Sequence, residues 1–84
     1  MKGKLKSGFK YEINEKALAS YEFLELLDEI DDKPQRLSRA FELLLGKEQK
    51  QALIESLKVD GFTPIDSMMG ALQEIFENHK EIKN

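Results

Sequence analysis

Between residues 4 and 13 apolar and polar positions alternate: Leu5, Phe9, Tyr11 and Ile13 are set against Lys4, Lys6, Lys10 and Glu12. A period of two with Ser7-Gly8 at its centre predicts a two-stranded hairpin over residues 4–13, closed by a tight turn in which Gly8 supplies a positive φ. A lone hairpin is marginal in water, so its Leu5/Phe9/Tyr11/Ile13 face is expected to lie on helices. After Asn14, read as an N-cap with Glu15 in the first turn, the period lengthens and predicts a helix over 15–31. At about 100° per residue, Phe23, Leu24, Leu26, Leu27 and Ile30 span an arc of roughly 160°, with Glu22, Glu25 and Glu29 opposite. So wide an arc implies several neighbours: the hairpin, reached through Ala17, Leu18 and Tyr21 at its edge, and two further helices.

Asp31-Asp32-Lys33-Pro34 ends that helix and starts the next, with Asp32 as cap and Pro34 at the first position. The second helix, 34–45, carries the stripe Leu37, Ala40, Phe41 and Leu44 and stops at Gly46. Leu43 and Leu45 flank the stripe, so at least one should stay partly exposed. A shorter helix over 47–58 presents Ala52, Leu53, Ile54 and Leu57. Val59-Asp60-Gly61-Phe62 reads as a connector anchored by Phe62. Thr63-Pro64-Ile65-Asp66 then opens a fourth helix, 64–80, with Thr63 as N-cap and Asp66 in the place a capping box reserves for Glu. Ile65, Met68, Met69, Leu72, Ile75 and Phe76 fall within about 120°, and His79 continues the stripe. Residues 81–84 are expected to fray. The predicted architecture is α+β, mostly α: an N-terminal β-hairpin packed on a bundle of about four helices, as a single domain spanning 1–84.

Composition narrows the chemistry. Eighty-four residues are near the size at which one core supports itself, and without cysteine that core must be side-chain packing alone. A single histidine, His79, leaves zinc to carboxylates, and neither a metal nor a cofactor is expected. No apolar run approaches the roughly 18 residues of a membrane span, and the basic start leads into alternation rather than an apolar signal segment. A cytoplasmic protein is the expectation. The net charge of −3 is uneven, since Lys2, Lys4, Lys6 and Lys10 give the first ten residues +4 with no acid, leaving −7 for the rest. Lysines on an exposed edge strand discourage sheet-to-sheet pairing, a reading preferred to phosphate binding.

Candidate motifs dissolve on inspection. Asp66-Ser67-Met68 at a helix start resembles the site at which acyl carrier proteins take a phosphopantetheine arm, but only 17 residues follow Ser67, whereas that family places two helical segments after its serine. Glu25/Asp28/Glu29 and Asp31/Asp32 fall on or beside an exposed face, where nothing raises a carboxyl pKa for catalysis. Gly46, Gly61 and Gly70 lack the spacing of a phosphate-cradling loop; Gly70, inside a helix, hints at a close helix approach. Arg36 and Arg39 lie on the second helix, but the helix after it begins Glu48-Gln49-Lys50-Gln51 and lacks the residues of a DNA-reading helix. What remains is an apolar surplus. Leu43, Leu45, Phe62, Met68 and Met69 exceed what a two-layer domain must bury, and adaptable methionines suit an irregular partner. That surplus is equally compatible with a homodimer or a full core.

Ser7-Gly8-Phe9-Lys10-Tyr11-Glu12-Ile13-Asn14-Glu15 leading into Tyr21-Glu22-Phe23-Leu24-Glu25-Leu26-Leu27, then Leu43-Leu44-Leu45-Gly46-Lys47-Glu48-Gln49, Gly61-Phe62-Thr63-Pro64 and Leu72-Gln73-Glu74-Ile75-Phe76, resembles the small tail assembly chaperones of long-tailed, non-contractile phages and prophages. The resemblance spans nearly the whole chain. It implies a non-enzymatic protein of the host cytoplasm that binds the long helical tape measure protein, prevents its aggregation, helps recruit tail tube subunits and is absent from the finished particle. It also implies a short form of a product that many such phages extend by frameshifting. No binding residue transfers from the family, so Leu43, Leu45, Phe62, Met68 and Met69 stand as partner-binding candidates on their own chemistry. Neither nucleic acid nor membrane is an expected partner, and a homo-oligomer stays open. A small regulatory adaptor that binds another protein, or less readily DNA, is the alternative.

Overall fold

The computed structural model describes residues 1–79. Its elements in chain order are β1 (Lys2–Lys4), β2 (Lys10–Glu12), α1 (Glu15–Leu18), α2 (Tyr21–Glu29), α3 (Arg36–Ser56) and α4 (Ile65–Asn78). The fold is α+β and mostly helical, a two-stranded antiparallel hairpin on four helices. The expected end of the last helix at Lys80 and the fraying of 81–84 lie outside the described residues.

The hairpin forms as its alternation requires, although it starts at Lys2. Lys2 pairs with Glu12, Gly3 with Tyr11 and Lys4 with Lys10, and the ladder runs on through Ile13 N–H to the Met1 carbonyl at 2.7 Å. Gly8 takes φ +100° in the turn. Leu5, Tyr11 and Ile13 are buried and Phe9 is half-buried, so the apolar face meets the helices. The Tyr11 ring lies across Gly3: a Cβ there would sit 2.4 Å from the Tyr11 hydroxyl oxygen. That hydroxyl lies 3.0 Å from His79 Nε2 and accepts from Asn78 Nδ2 at 3.1 Å, tying the hairpin to the end of α4. His79 is a buried packing residue.

The helix expected over 15–31 is two helices. Asn14 caps α1, its Oδ1 accepting from the Lys16 and Ala17 amides, as read. Ser20 then caps α2: its Oγ accepts from Phe23 N–H at 3.1 Å and donates to the Ala17 carbonyl at 2.7 Å. A serine inside a helical stretch competes for backbone partners, and here it wins and resets the helix. The buried part of the arc is narrower than expected, Phe23, Leu26 and Ile30, with Leu27 half-buried, while Leu24 at the arc's edge is 59% exposed and Tyr21 is exposed too. Phe23 stacks at a tilt on Phe76 of α4, ring centres 5.6 Å apart.

α3 consists of two arms broken at Gly46, whose φ of 81° and ψ of 166° are non-helical. The break matches the predicted boundary between the second and third helices. The first arm starts later than expected: Pro34 precedes it in a turn, Gln35 is the N-cap, and no side chain, Asp32 included, caps it. Breaking a helix strands its last carbonyls. Asn14 N–H donates to the Leu44 carbonyl at 2.9 Å. Gln49 Nε2 donates to the Leu45 carbonyl at 2.8 Å and the Glu12 carbonyl at 2.7 Å, while its Oε1 accepts from Glu12 N–H at 2.7 Å. One amide thus closes both the kink and the open edge of β2. Leu37, Ala40, Phe41 and Leu44 form the buried stripe as predicted; Leu45 is buried with them and Leu43 is half-buried.

Thr63 does not cap α4. Pro64 is the N-cap, and the Thr63 hydroxyl donates instead to the Ile54 carbonyl at 2.8 Å, one of the unpaired carbonyls in the last turn of α3. Gly70 marks no close helix approach, because a Cβ there would meet nothing within 4 Å.

Candidate interaction surface

The two arms of α3 meet because Gly46 turns the chain. Ser38 and Lys50 would lie about 18 Å apart along an unbroken helix, yet Lys50 Nζ donates to Ser38 Oγ at 3.1 Å. The same ammonium meets the Glu42 carboxylate at 2.6 Å, and Arg39 approaches its other oxygen at 3.5 Å. The hydrogen bond from Lys50 holds the Glu42 carboxyl below its ordinary value; the positive charges of Lys50, Lys47 and Arg39 add to this, and desolvation opposes it. A polar clasp on one side therefore fixes the angle between the arms.

Beside the clasp lies an apolar groove of about 490 Å³. Pro34, Leu37 and Phe41 line it from the first arm and its approach, Ile54 and the Lys50 stem from the second, and Thr63, Ile65 and Met68 from the start of α4. The volume falls within the usual range for a binding cleft. Next to it stands a knob. Asp60 (φ 52°) and Gly61 (φ 87°) form a two-residue turn, and Val59 and Phe62 exchange both backbone hydrogen bonds across it, at 2.7 and 3.0 Å. Positive φ at both central positions marks a type I′ turn, the tightest hairpin link. A directly opposed pair puts both side chains on one face, and here that face looks outward: Phe62 is 80% exposed and Val59 58%. Phe62 is thus not the internal anchor expected from the sequence. Ile65, three residues on, is 64% exposed although it lies on the apolar stripe of α4.

The five candidates from the sequence are divided among separate surfaces. Met68 lines the groove and Phe62 crowns the knob. Met69 belongs to a smaller apolar cleft of about 270 Å³ between α2 and α4, with Leu27, Ile30, Leu72 and Phe76. Leu43 and Leu45 border a more polar hollow of about 400 Å³ under Glu12–Asn14, where Leu45 is largely core. Val59, Ile54 and Ile65 were missing from the candidates; the Asp-Gly pair between two apolar residues is the hairpin signal that would have found Val59. Among the described residues no group of three or more His, Cys, Asp or Glu is placed to hold a metal ion, and no helix is long and apolar enough to cross a membrane.

Comparison of the chain with protein-family models, curated proteins and solved structures found no match.

Proposed function

We propose that this protein is a non-catalytic chaperone that shields apolar helical segments of a larger partner, acting as the tail assembly chaperones of long-tailed, non-contractile phages act on the tape measure protein. The observation that carries the reading is the groove between the arms of α3 and α4, with Phe62 and Ile65 exposed at its edge. A monomer gains nothing from exposing a phenylalanine on a rigid two-residue turn beside an apolar cleft; a protein that receives apolar side chains does. Two or three side chains at i, i+3 and i+7 of an amphipathic helix match such a cleft, and Met68 adapts its shape to sequences that vary along a long client. The acidic outer faces keep the loaded complex soluble. On this reading the protein works in the host cytoplasm, brings tail tube subunits to the client and leaves before the particle is complete.

Co-expression with a tape measure protein of a long-tailed, non-contractile phage tests the proposal. Soluble client should rise with the wild-type protein and fall again with Phe62→Ser or Met68→Ser. Client solubility that does not respond to the wild-type protein refutes it.

A further inference from the structure

We infer that, without a client, the knob-and-groove face is covered by a second copy of this chain in a two-fold symmetric dimer, the Phe62 of each copy seated in the groove of the other. The inference takes the same surface as the proposed client site but stands on geometry that needs no client. In a two-fold interface the same patch serves both partners, so the patch must carry both a projection and a complementary hollow. This one does. Phe62 projects from a turn whose backbone is fixed by two hydrogen bonds, and the groove begins one residue later at Thr63.

Area supports the same occupant. At their observed exposures Val59, Phe62 and Ile65 offer roughly 350 Å² of surface, taking ~200 Å² for a whole aromatic side chain and somewhat less for the aliphatic ones. Doubling this for two copies and adding the groove walls other than Ile65, which is already counted, gives about 800 Å² of apolar area, which at an apolar share of about 65% corresponds to a total of about 1,200 Å². Stable interfaces of standard size bury about 1,200–2,000 Å².

Sedimentation equilibrium of the full chain over ~1–100 μM tests the dimer. The wild type should fit a monomer–dimer equilibrium, and Phe62→Asp should weaken it by at least ~30-fold, as expected for a central aromatic contact. Ile65→Asp should act in the same direction. Leu24→Asp, equally exposed but on α2, should leave the equilibrium unchanged; circular dichroism confirms that each variant is folded. On dilution, NMR shift changes should fall on Ile54, Ile65 and Met68. A wild type that stays monomeric throughout the range, a dimer that survives Phe62→Asp, or dilution shifts confined to the hairpin or α2 would each overturn the inference. The functional proposal fails separately: a monomeric protein that still solubilises its client leaves that reading intact, and a dimer without effect on the client does the reverse.

Discussion

Replacing Gly46 with alanine isolates the one backbone feature on which the groove depends. At φ 81° and ψ 166° Gly46 occupies a region that is essentially reserved for glycine. A Cβ built there meets no atom within 4 Å, so the penalty is conformational and owes nothing to crowding. Holding alanine in such a region costs about 1–3 kcal/mol, of which the smaller conformational entropy of the unfolded alanine chain offsets about 0.4–1 kcal/mol. The alternative, fusing the arms into one straight helix, removes the strain but separates Lys50 from Ser38 and Glu42 and withdraws Gln49 from Glu12. Either route should destabilise the protein by about 1–2 kcal/mol, which for a domain of this size lowers Tm by about 4–16 °C. Gly70→Ala is the matched control. It lies in α4, also with open space around its Cβ, and in a helical backbone it should stabilise by about 0.5–1 kcal/mol. Urea titrations followed by circular dichroism measure both. If Gly46→Ala proves as stable as the wild type, the kink is not a strained requirement of the fold and the origin assigned to the groove is wrong.

Gly3→Ala should push the Tyr11 ring from its buried seat and break its contacts with His79 and Asn78; a loss of about 1–3 kcal/mol by thermal melting is expected, with a change in tyrosine fluorescence. Gln49→Ala removes the amide that closes both the kink and the β2 edge, and should cost about 1–2 kcal/mol in urea unfolding, with faster amide exchange at Glu12. Glu42 gives a pH signature. Because its folded pKa is depressed, its contribution is complete above the ordinary value of 4.5 and is lost as pH falls through the lower folded value. The stability advantage of wild type over Glu42→Gln should therefore be flat at neutral pH and vanish in acid; an advantage that persists at the acid end would contradict the Lys50 clasp.

Periodicity identified most of the core because burial of a stripe follows directly from residue spacing. Leu37, Ala40, Phe41 and Leu44 are buried as their i, i+3, i+4, i+7 pattern requires, and so are Leu72 and Ile75 of α4 and His79 at its C-cap. The hairpin turn and the break at Gly46 were legible because glycine at such positions has a local reason to be there. Spacing does not say whether a neighbour is present. Leu24 and Ile65 lie on apolar stripes yet are exposed, the first at the edge of its arc on α2, the second in the first turn of α4. Contacts between distant polar groups were less legible still. Gln49 and Glu12 are 37 residues apart, and Tyr11 and His79 68, and in sequence each reads as an ordinary surface or stripe residue.

The candidate site was legible in its residues but not in its shape, and that difference separates stability from binding. Phe62 was picked out by its chemistry, yet its side chain contributes little to the folded monomer, since most of it already faces water. Phe62→Ser should therefore leave unfolding free energy within about 0.5 kcal/mol of wild type, while weakening both client rescue and self-association. Gly46→Ala touches no part of the exposed face and should weaken binding only as far as it opens the angle between the arms, in step with its loss of stability. Plotting partner affinity against unfolding free energy for the two variants distinguishes the roles: Phe62→Ser falls on the affinity axis alone, and Gly46→Ala on a diagonal. Should Phe62→Ser instead lose stability and affinity together, the residue is part of the core and the exposed knob cannot be the organ of binding.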